Sequence, residues 1–466
     1  MTMKLGVQEE PAIYKVLRDL GNAVPLTQVT EFNPRRHSVP PTDSDLVSFV
    51  PMRAVTEESG HIDSGAVRPW SEVKKGYTAF QNGDVIFAKI TPCMENGKFA
   101  LASALHNGRA AGSTEFHVFR SKPGLLPKYL FHFLFTPYVR RGAKMNMKGA
   151  AGQLRVPIQF FEGLRIPLPA PEEQQRVVDY LDEQLSRLDA SVAALHRVQA
   201  NLKRYRASVL KSACEGRLVP TEAELARQEG RNFETGALLL QSILATRRNS
   251  AGTKSKYKEP SPPEKLRLPE AREGWTWSNV DQLAVVGTGA TPKRDEPTFY
   301  EGGHIPWVTS GAVNGEYVDQ AFEFVTDRAL SETNLSIYPP GTLLLAMYGE
   351  GKTRGRCSEL RIAATTNQAL AAIQSAAPVR RYLRLLLERS YEETRKAASG
   401  GVQPNLNLSL VRAIAVPLPP LAEQHRIVAE ADRRLSLIRV AEAQVTANLA
   451  RAQRLRQSIL RAAFSN

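Results

Sequence analysis

Two stretches of the chain place apolar residues at steps of three and four. In the first these are Val178, Leu181, Leu185, Leu188, Val192 and Leu195, continued by Gln199, Leu202, Arg206 and Val209. The second repeats the register with Val428, Ala431, Leu435, Ile438, Glu442, Val445, Leu449, Ala452, Arg456 and Ile459, its seam weaker at Ala431, Glu442 and Ala452. This is an a/d heptad, the pattern of a helix that buries a narrow seam against another helix. Glu172 and Glu173 suit the positive first turn of the first helix, and Gly216 is a fitting stop. A helix over 172–213 is about 63 Å long at about 1.5 Å per residue, and its stripe needs a partner. The nearest is the other stretch, which predicts an antiparallel coiled coil about a pseudo-twofold axis.

The rest of the chain has a different pattern. Residues 17–165 and 273–415 carry short apolar runs, DVIFAKI (84–90), FHVF (116–119) and GTLLLAMY (341–348), bounded by Gly, Pro and Asn turns. Helical pieces follow at 127–135 and 380–390. The fold class is therefore α+β: two α/β heads in tandem, separated and joined by the two long helices. The expected boundaries are 1–165 for the first head, 166–216 for the first helix, 217–272 for a linker, 273–415 for the second head and 416–466 for the second helix. The linker reading rests on SAGTKSKYKEPSPPEK, poor in apolar residues and expected to be mobile and protease-sensitive.

The tandem arrangement is written in the sequence as a repeat. IPLPAPEEQQRVV (166–178) aligns with VPLPPLAEQHRIV (416–428) at an offset of 250, which holds without a gap to Cys214 and Phe464 with 17 of 49 positions identical. Upstream, NPRR (33–36) aligns with TPKR (291–294), FVPMRAV (49–55) with WVTSGAV (307–313), and GDVIFAK (83–89) with GTLLLAM (341–347), all at 258. The chain is a duplication with divergent middles.

Charge adds a partner class. Sixty-one Lys and Arg against 47 Asp and Glu leave the 466-residue chain at +14, which points toward a polyanion. Cys93, Cys214 and Cys357 are far apart, and the eight histidines form no cluster, so neither a metal site nor a disulfide framework is indicated. No run suits a signal peptide or a membrane span, and a soluble, cytoplasmic protein is expected. A phosphate loop in AMYGEGKTRGR would need Gly at Ala346, and neither a GxGxxG nor an NPPY-like motif occurs, so catalysis within the chain is not expected.

Polar and basic residues just past the strands are the candidate DNA contacts: Arg53, Lys89, Lys98, Lys148, Gln153 and Arg155 in the first head, Ser310, Lys352, Arg354, Gln403 and Asn405 in the second. Lys and Arg hold phosphates, whereas Gln, Asn and Arg can pair with base edges. The glycines of GAAGQ and SGGVQPN suit tight turns.

The PLP lead-in to a heptad helix, present twice, the GxxxxAK-type strands and EPSPPEKLRLPEAREGWTWSNVDQL together resemble the specificity subunit of type I restriction-modification systems over nearly the whole chain. That resemblance implies a noncatalytic subunit whose two target-recognition domains each read half of a bipartite site in double-stranded DNA. It implies helices that act as a ruler and dock two methyltransferase subunits, with restriction (translocase and endonuclease) subunits joining them. S-adenosylmethionine, ATP and magnesium then belong to the partners. Two other readings stay open, a stand-alone DNA-binding regulator, for which no helix-turn-helix is evident, and a coiled-coil scaffold with carbohydrate- or protein-binding heads.

Overall fold

The structure is a computed structural model that describes residues 23–35, 37–63, 66–150, 152–250, 258–264, 268–348, 354–397 and 406–464. The chain divides into two compact units, Met1–Arg197 with Val445–Asn466, and Val198–Gln444.

In the first unit one sheet runs in the order Thr30–Phe32, Phe116–Ser121, Asp84–Ala88, Phe99–Leu101. A second sheet runs Val67–Pro69, Leu46–Val50, Arg109–Gly112, Thr78–Gln81. The apolar run DVIFA has no polar face because both its faces are covered. Val85 and Phe87 enter a core shared with the helix Pro127–Leu134, while Ile86 and Ala88 enter another with Val50, Phe80 and Val118. The second unit repeats this. Its central strand Leu343–Ala346 sends Leu343 and Leu345 one way and Leu344 and Ala346 the other.

Strand register sharpens the repeat. Val85 faces Leu101 and Phe119 in the first unit, and Leu343 faces Glu359 and Ile373 in the second. The parallel pair Val50 and Gly112 becomes Val308 and Thr366. The pairings that recur in both units give an offset of 254 over 23–32, 258 over 47–50 and 84–101, 257 over 67–68, 254 over 110–121 and 250 over 165–167. The insertions and deletions that shift it lie between strands, where the ladder does not constrain length.

The long helices are Pro171–Cys214 and Leu421–Phe464. In the first unit Val178, Leu181 and Leu185 share a core with Leu460 and Ala463, and Asp189 pairs with Arg456. In the second, Val209, Leu210 and Ala213 share a core with Val428, Ala431, Leu435 and Ile438. The beginning of each helix meets the end of the other, so they run antiparallel. Along the seam Leu188 and Val445 are also buried, Leu195, Leu202, Leu449 and Ile459 are half-buried, and Gln199 is exposed.

The PLP lead-in has a specific task in both copies. Tyr129 and Tyr382 donate their hydroxyls to the carbonyls of Pro167 and Pro417, at 3.1 and 2.7 Å. Gln174 and Gln424 donate their side-chain amides to Pro169 and Pro419, at 2.9 and 2.8 Å. These bonds fix how each long helix leaves its head.

The expected linker over 217–272 is corrected in part. It contains the helices Glu222–Glu229 and Gly236–Ser250, and Leu239 and Ile243 are buried in the second unit's core. Thr221 and Glu224 form a capping box that starts the first of them. Half of the polar stretch that motivated the linker, 251–257 and 265, lies outside the described residues. Gly216 adopts φ +66° beyond the first long helix, where a Cβ would meet the Trp275 ring at 2.7 Å, so the stop is also a packing site.

Candidate nucleic-acid interface

In the first head the candidates gather around the loop that leaves Asp84–Ala88. Lys89 and Ile90 are half-buried, and Val156 donates its amide to the Lys89 carbonyl at 2.8 Å. Lys148 and Arg155 exchange backbone hydrogen bonds of 2.9 and 2.8 Å, closing a small hairpin that carries exposed Lys148 and Gln153 beside Lys89. Gly149 at φ +136° and Gly152 at φ +83° make the turn, and a Cβ on Gly149 would meet the Gln153 carbonyl at 2.8 Å. The glycines serve the hairpin.

Arg155 forks onto Glu115 at 2.8 and 2.9 Å. The guanidinium holds the Glu115 carboxyl below the usual carboxylate range, and the carboxylate in turn raises Arg155. Its charge is largely spent inside the protein, while Lys148 and Gln153 are exposed at the hairpin. The hairpin is anchored below by His117, whose Nε2 donates to the Val156 carbonyl at 2.8 Å and whose Nδ1 accepts from the Asn33 amide at 3.3 Å.

Lys98 closes the same loop. Its Nζ donates to the Met52 carbonyl at 3.3 Å, which brings it beside exposed Arg53 in the turn Met52–Ala54. The five cations and Gln153 therefore form two neighbouring groups joined by residues 89–98.

In the second head, half-buried Ser310 lies in the turn Ser310–Ala312 and half-buried Arg354 precedes the strand Cys357–Leu360. Lys352, Gln403 and Asn405 lie outside the described residues. The residue that matches Lys98 is Arg356, which was not among the candidates. Ala88 and Ala346 donate their amides to the carbonyls of Lys98 and Arg356, and Arg356 donates to the Asn314 carbonyl at 3.0 Å as Lys98 does to Met52. The offset of 258 would have found it. A second feature escaped too: at the matching positions Phe49 and Trp307 an arginine lies over the ring, Arg68 at 4.4 Å and Arg294 at 4.9 Å.

Among the described residues no group of three or more His, Cys, Asp or Glu could hold a metal ion, and no helix is long and apolar enough to cross a membrane. Cys93, Cys214 and Cys357 are free thiols.

The sequence matches the profile of the type I restriction modification DNA specificity domain twice, over residues 49–200 and 272–435. It is 30% identical over 303 residues to the type I restriction enzyme EcoAI specificity subunit of Escherichia coli, an alignment covering 55% of this chain and 50% of that protein. With the EcoEI specificity subunit of the same organism it shares 26% identity over 463 residues, 87% of this chain and 76% of the relative. The chain thus spans half to three quarters of these relatives' length. A solved chain, from work on complex assembly and conformational transition of the type I R-M system, superposes with a TM-score of 0.61 at 21% identity, over 95% of this chain and 97% of the other. That likeness is one of fold. The two matched stretches cover more than half of the sequence and take in both copies of the repeat, and the chain belongs to the type I restriction-modification DNA specificity family.

Proposed function

We propose that the chain is the noncatalytic DNA-reading subunit of a type I restriction-modification complex, each head reading one half of a bipartite site. The observation that carries this is the equivalence of the two heads: the same strand registers give Lys98 and Arg356 equivalent positions, from which Lys98 bonds the Met52 carbonyl in the turn after Leu46–Val50 and Arg356 the Asn314 carbonyl just past the turn after Ile305–Val308. Phosphate contacts of that kind position a protein on a duplex, and the divergent loops around them supply sequence choice.

In this reading the antiparallel helices hold the heads at a set spacing and dock two methyltransferase subunits, with restriction subunits joining the assembly. S-adenosylmethionine, ATP and magnesium act on those partners, inside the cell where the free thiols stay reduced.

The deciding experiment purifies the chain with its methyltransferase partner and maps methylated adenines genome-wide. Methylation of one split motif is expected, and replacing residues 273–415 with a relative's head should change one half of it. Failure to form a stable complex, together with no split motif in the cell, would refute the assignment.

A further inference from the structure

The loop that follows the strand Ala284–Thr288 is held at alternate carbonyls by three aromatic side chains of the second head. Tyr338 donates its hydroxyl to Thr288 at 3.0 Å, Trp307 its ring N–H to Ala290 at 3.2 Å, and Tyr300 its hydroxyl to Pro292 at 2.7 Å. Trp307 and Tyr338 are buried. The loop also lies directly on its neighbour, since a Cβ on Gly289 would meet the Thr366 carbonyl at 1.6 Å. Phe49 and Phe80 occupy the places of Trp307 and Tyr338 in the first head, as their pairing with Ala111 and Ala110 shows against that with Thr365 and Ala364. Neither phenylalanine ring has a polar hydrogen to donate.

What this brace fixes is Thr291, exposed between two held carbonyls, which donates its hydroxyl to Oε1 of exposed Gln368 at 2.6 Å. Gln368 stands at the tip of a turn that is itself anchored. Asn367 donates its amide to the Val308 carbonyl at 3.1 Å, and Met347 donates to the Ala369 carbonyl at 2.8 Å. The first head builds the same turn, with Ser113 on Val50 at 3.2 Å and Lys89 on Glu115 at 2.9 Å, and carries exposed Thr114 at its tip. The turn therefore lies at the exit of the central strand, where the first head's candidate contacts gather.

We propose that Gln368 is a specificity-determining residue of the second head that reads an adenine in the major groove, with Thr291 as its positioning residue. This rests on the DNA-reading function proposed above. A carboxamide oxygen accepts two hydrogen bonds and Thr291 supplies one, which leaves an acceptor site on Oε1 beside the Nε2 donors. The adenine edge offers the complement, the N6 donor and the N7 acceptor, whereas guanine presents two acceptors there, one of which would face Oε1. A side chain already held on an ordered turn loses little freedom on binding, so its preference is expressed in full. Gln368 against Thr114 at equivalent tips is the kind of difference that two heads reading unlike half-sites require.

Methylome sequencing of cells carrying the chain with its methyltransferase partner reads the outcome base by base. In Q368A one A·T position should relax, within the half-site that changes when residues 273–415 are exchanged. Binding of the purified complex to duplexes varied at that position should lose about tenfold in discrimination, equivalent to about 1.4 kcal/mol. T291V should relax the same position, whereas T291S keeps the hydroxyl and should retain the preference; a T291V motif identical to that of the unaltered chain would remove the positioning role. An unaltered half-site in Q368A, relaxation at a G·C position, or loss spread over both half-sites would overturn the inference and leave the DNA-reading function standing. If the unaltered chain directs methylation to no split motif, that function fails and the inference falls with it.

Discussion

His117 donates its Nε2 proton to the Val156 carbonyl at 2.8 Å, tying the strand Phe116–Ser121 to the hairpin that carries Lys148, Gln153 and Arg155. Burial holds this imidazole neutral and pulls its pKa down to about 4. The contribution to stability is complete above the unfolded value near 6.5 and is lost as pH falls from there through about 4. Urea unfolding of the first unit should therefore weaken by roughly 3 kcal/mol across that window, at about 1.36 kcal/mol per unit. H117Q should flatten this acid limb, and an unchanged pH dependence would assign the loss to other groups.

Gln174 and Gln424 are equivalent, yet their surroundings differ. Gln174 donates to Gly124 and Pro169 and accepts from Leu126, whereas the Oε1 of Gln424 has no hydrogen-bond partner among the described residues. Replacing Gln174 by Leu strands more buried backbone groups, at about 1–3 kcal/mol each. Q174L should cost roughly 2 kcal/mol more than Q424L. Fluorescence of Trp70, the tryptophan of the first unit, against that of Trp275, Trp277 and Trp307 reports the two units separately.

Asp84, 1% exposed, accepts two hydrogen bonds of 2.8 Å from Arg120. The second unit has Thr342 and Gln374 at these places. D84N leaves a partly buried guanidinium uncompensated and should cost about 3 kcal/mol or more. The transplant D84T/R120Q should recover most of that loss. Equal destabilisation by single and double variants, measured by thermal unfolding, would show that the pair is not coupled.

Lys98 and Arg356 should act separately on the two half-sites. K98A and R356A should each weaken duplex binding by the methyltransferase complex and lower the salt slope by about 1. Binding measured at several salt concentrations, on sites scrambled in one half at a time, tests this. A slope unchanged in both variants removes these residues from the phosphate contacts.

If the helices set the spacing between half-sites, seven residues inserted into each should lengthen the spacer. A heptad adds about 10 Å at about 1.5 Å per residue, or about three base pairs at about 3.4 Å each. Insertions after Leu195 and after Leu449 keep the seam in phase. Methylome sequencing should find unchanged half-sites around a longer gap, and an unaltered spacer would sink the ruler.

Much of the fold was legible in the sequence because it rests on periodicity. The heptad positions predicted the seam, and the repeat predicted two equivalent heads. Register equivalence then showed that the gap between offsets of 258 and 250 is divided by an intermediate 254. The helices over 222–229 and 236–250 were hidden because a polar stretch beside them dominated the reading, although Thr221 and Glu224 supplied a start signal. Arg356 was recoverable from the repeat, but the spent charge of Arg155 was not, since nothing near it in sequence announces Glu115.

What the sequence by itself determined is everything carried by local period and by self-similarity: long helices, duplicated heads, a basic chain without metal or nucleotide motifs. The tertiary structure alone decided which cations stay exposed and which are neutralised within the protein. It also turned Arg206 and Arg456 from flaws in a heptad into ion-pair partners, of Glu388 and Asp189. Such outcomes depend on groups far apart in sequence meeting at about 3 Å, as Arg155 does with Glu115 and Arg206 with Glu388, where Coulomb energy and desolvation outweigh any local preference.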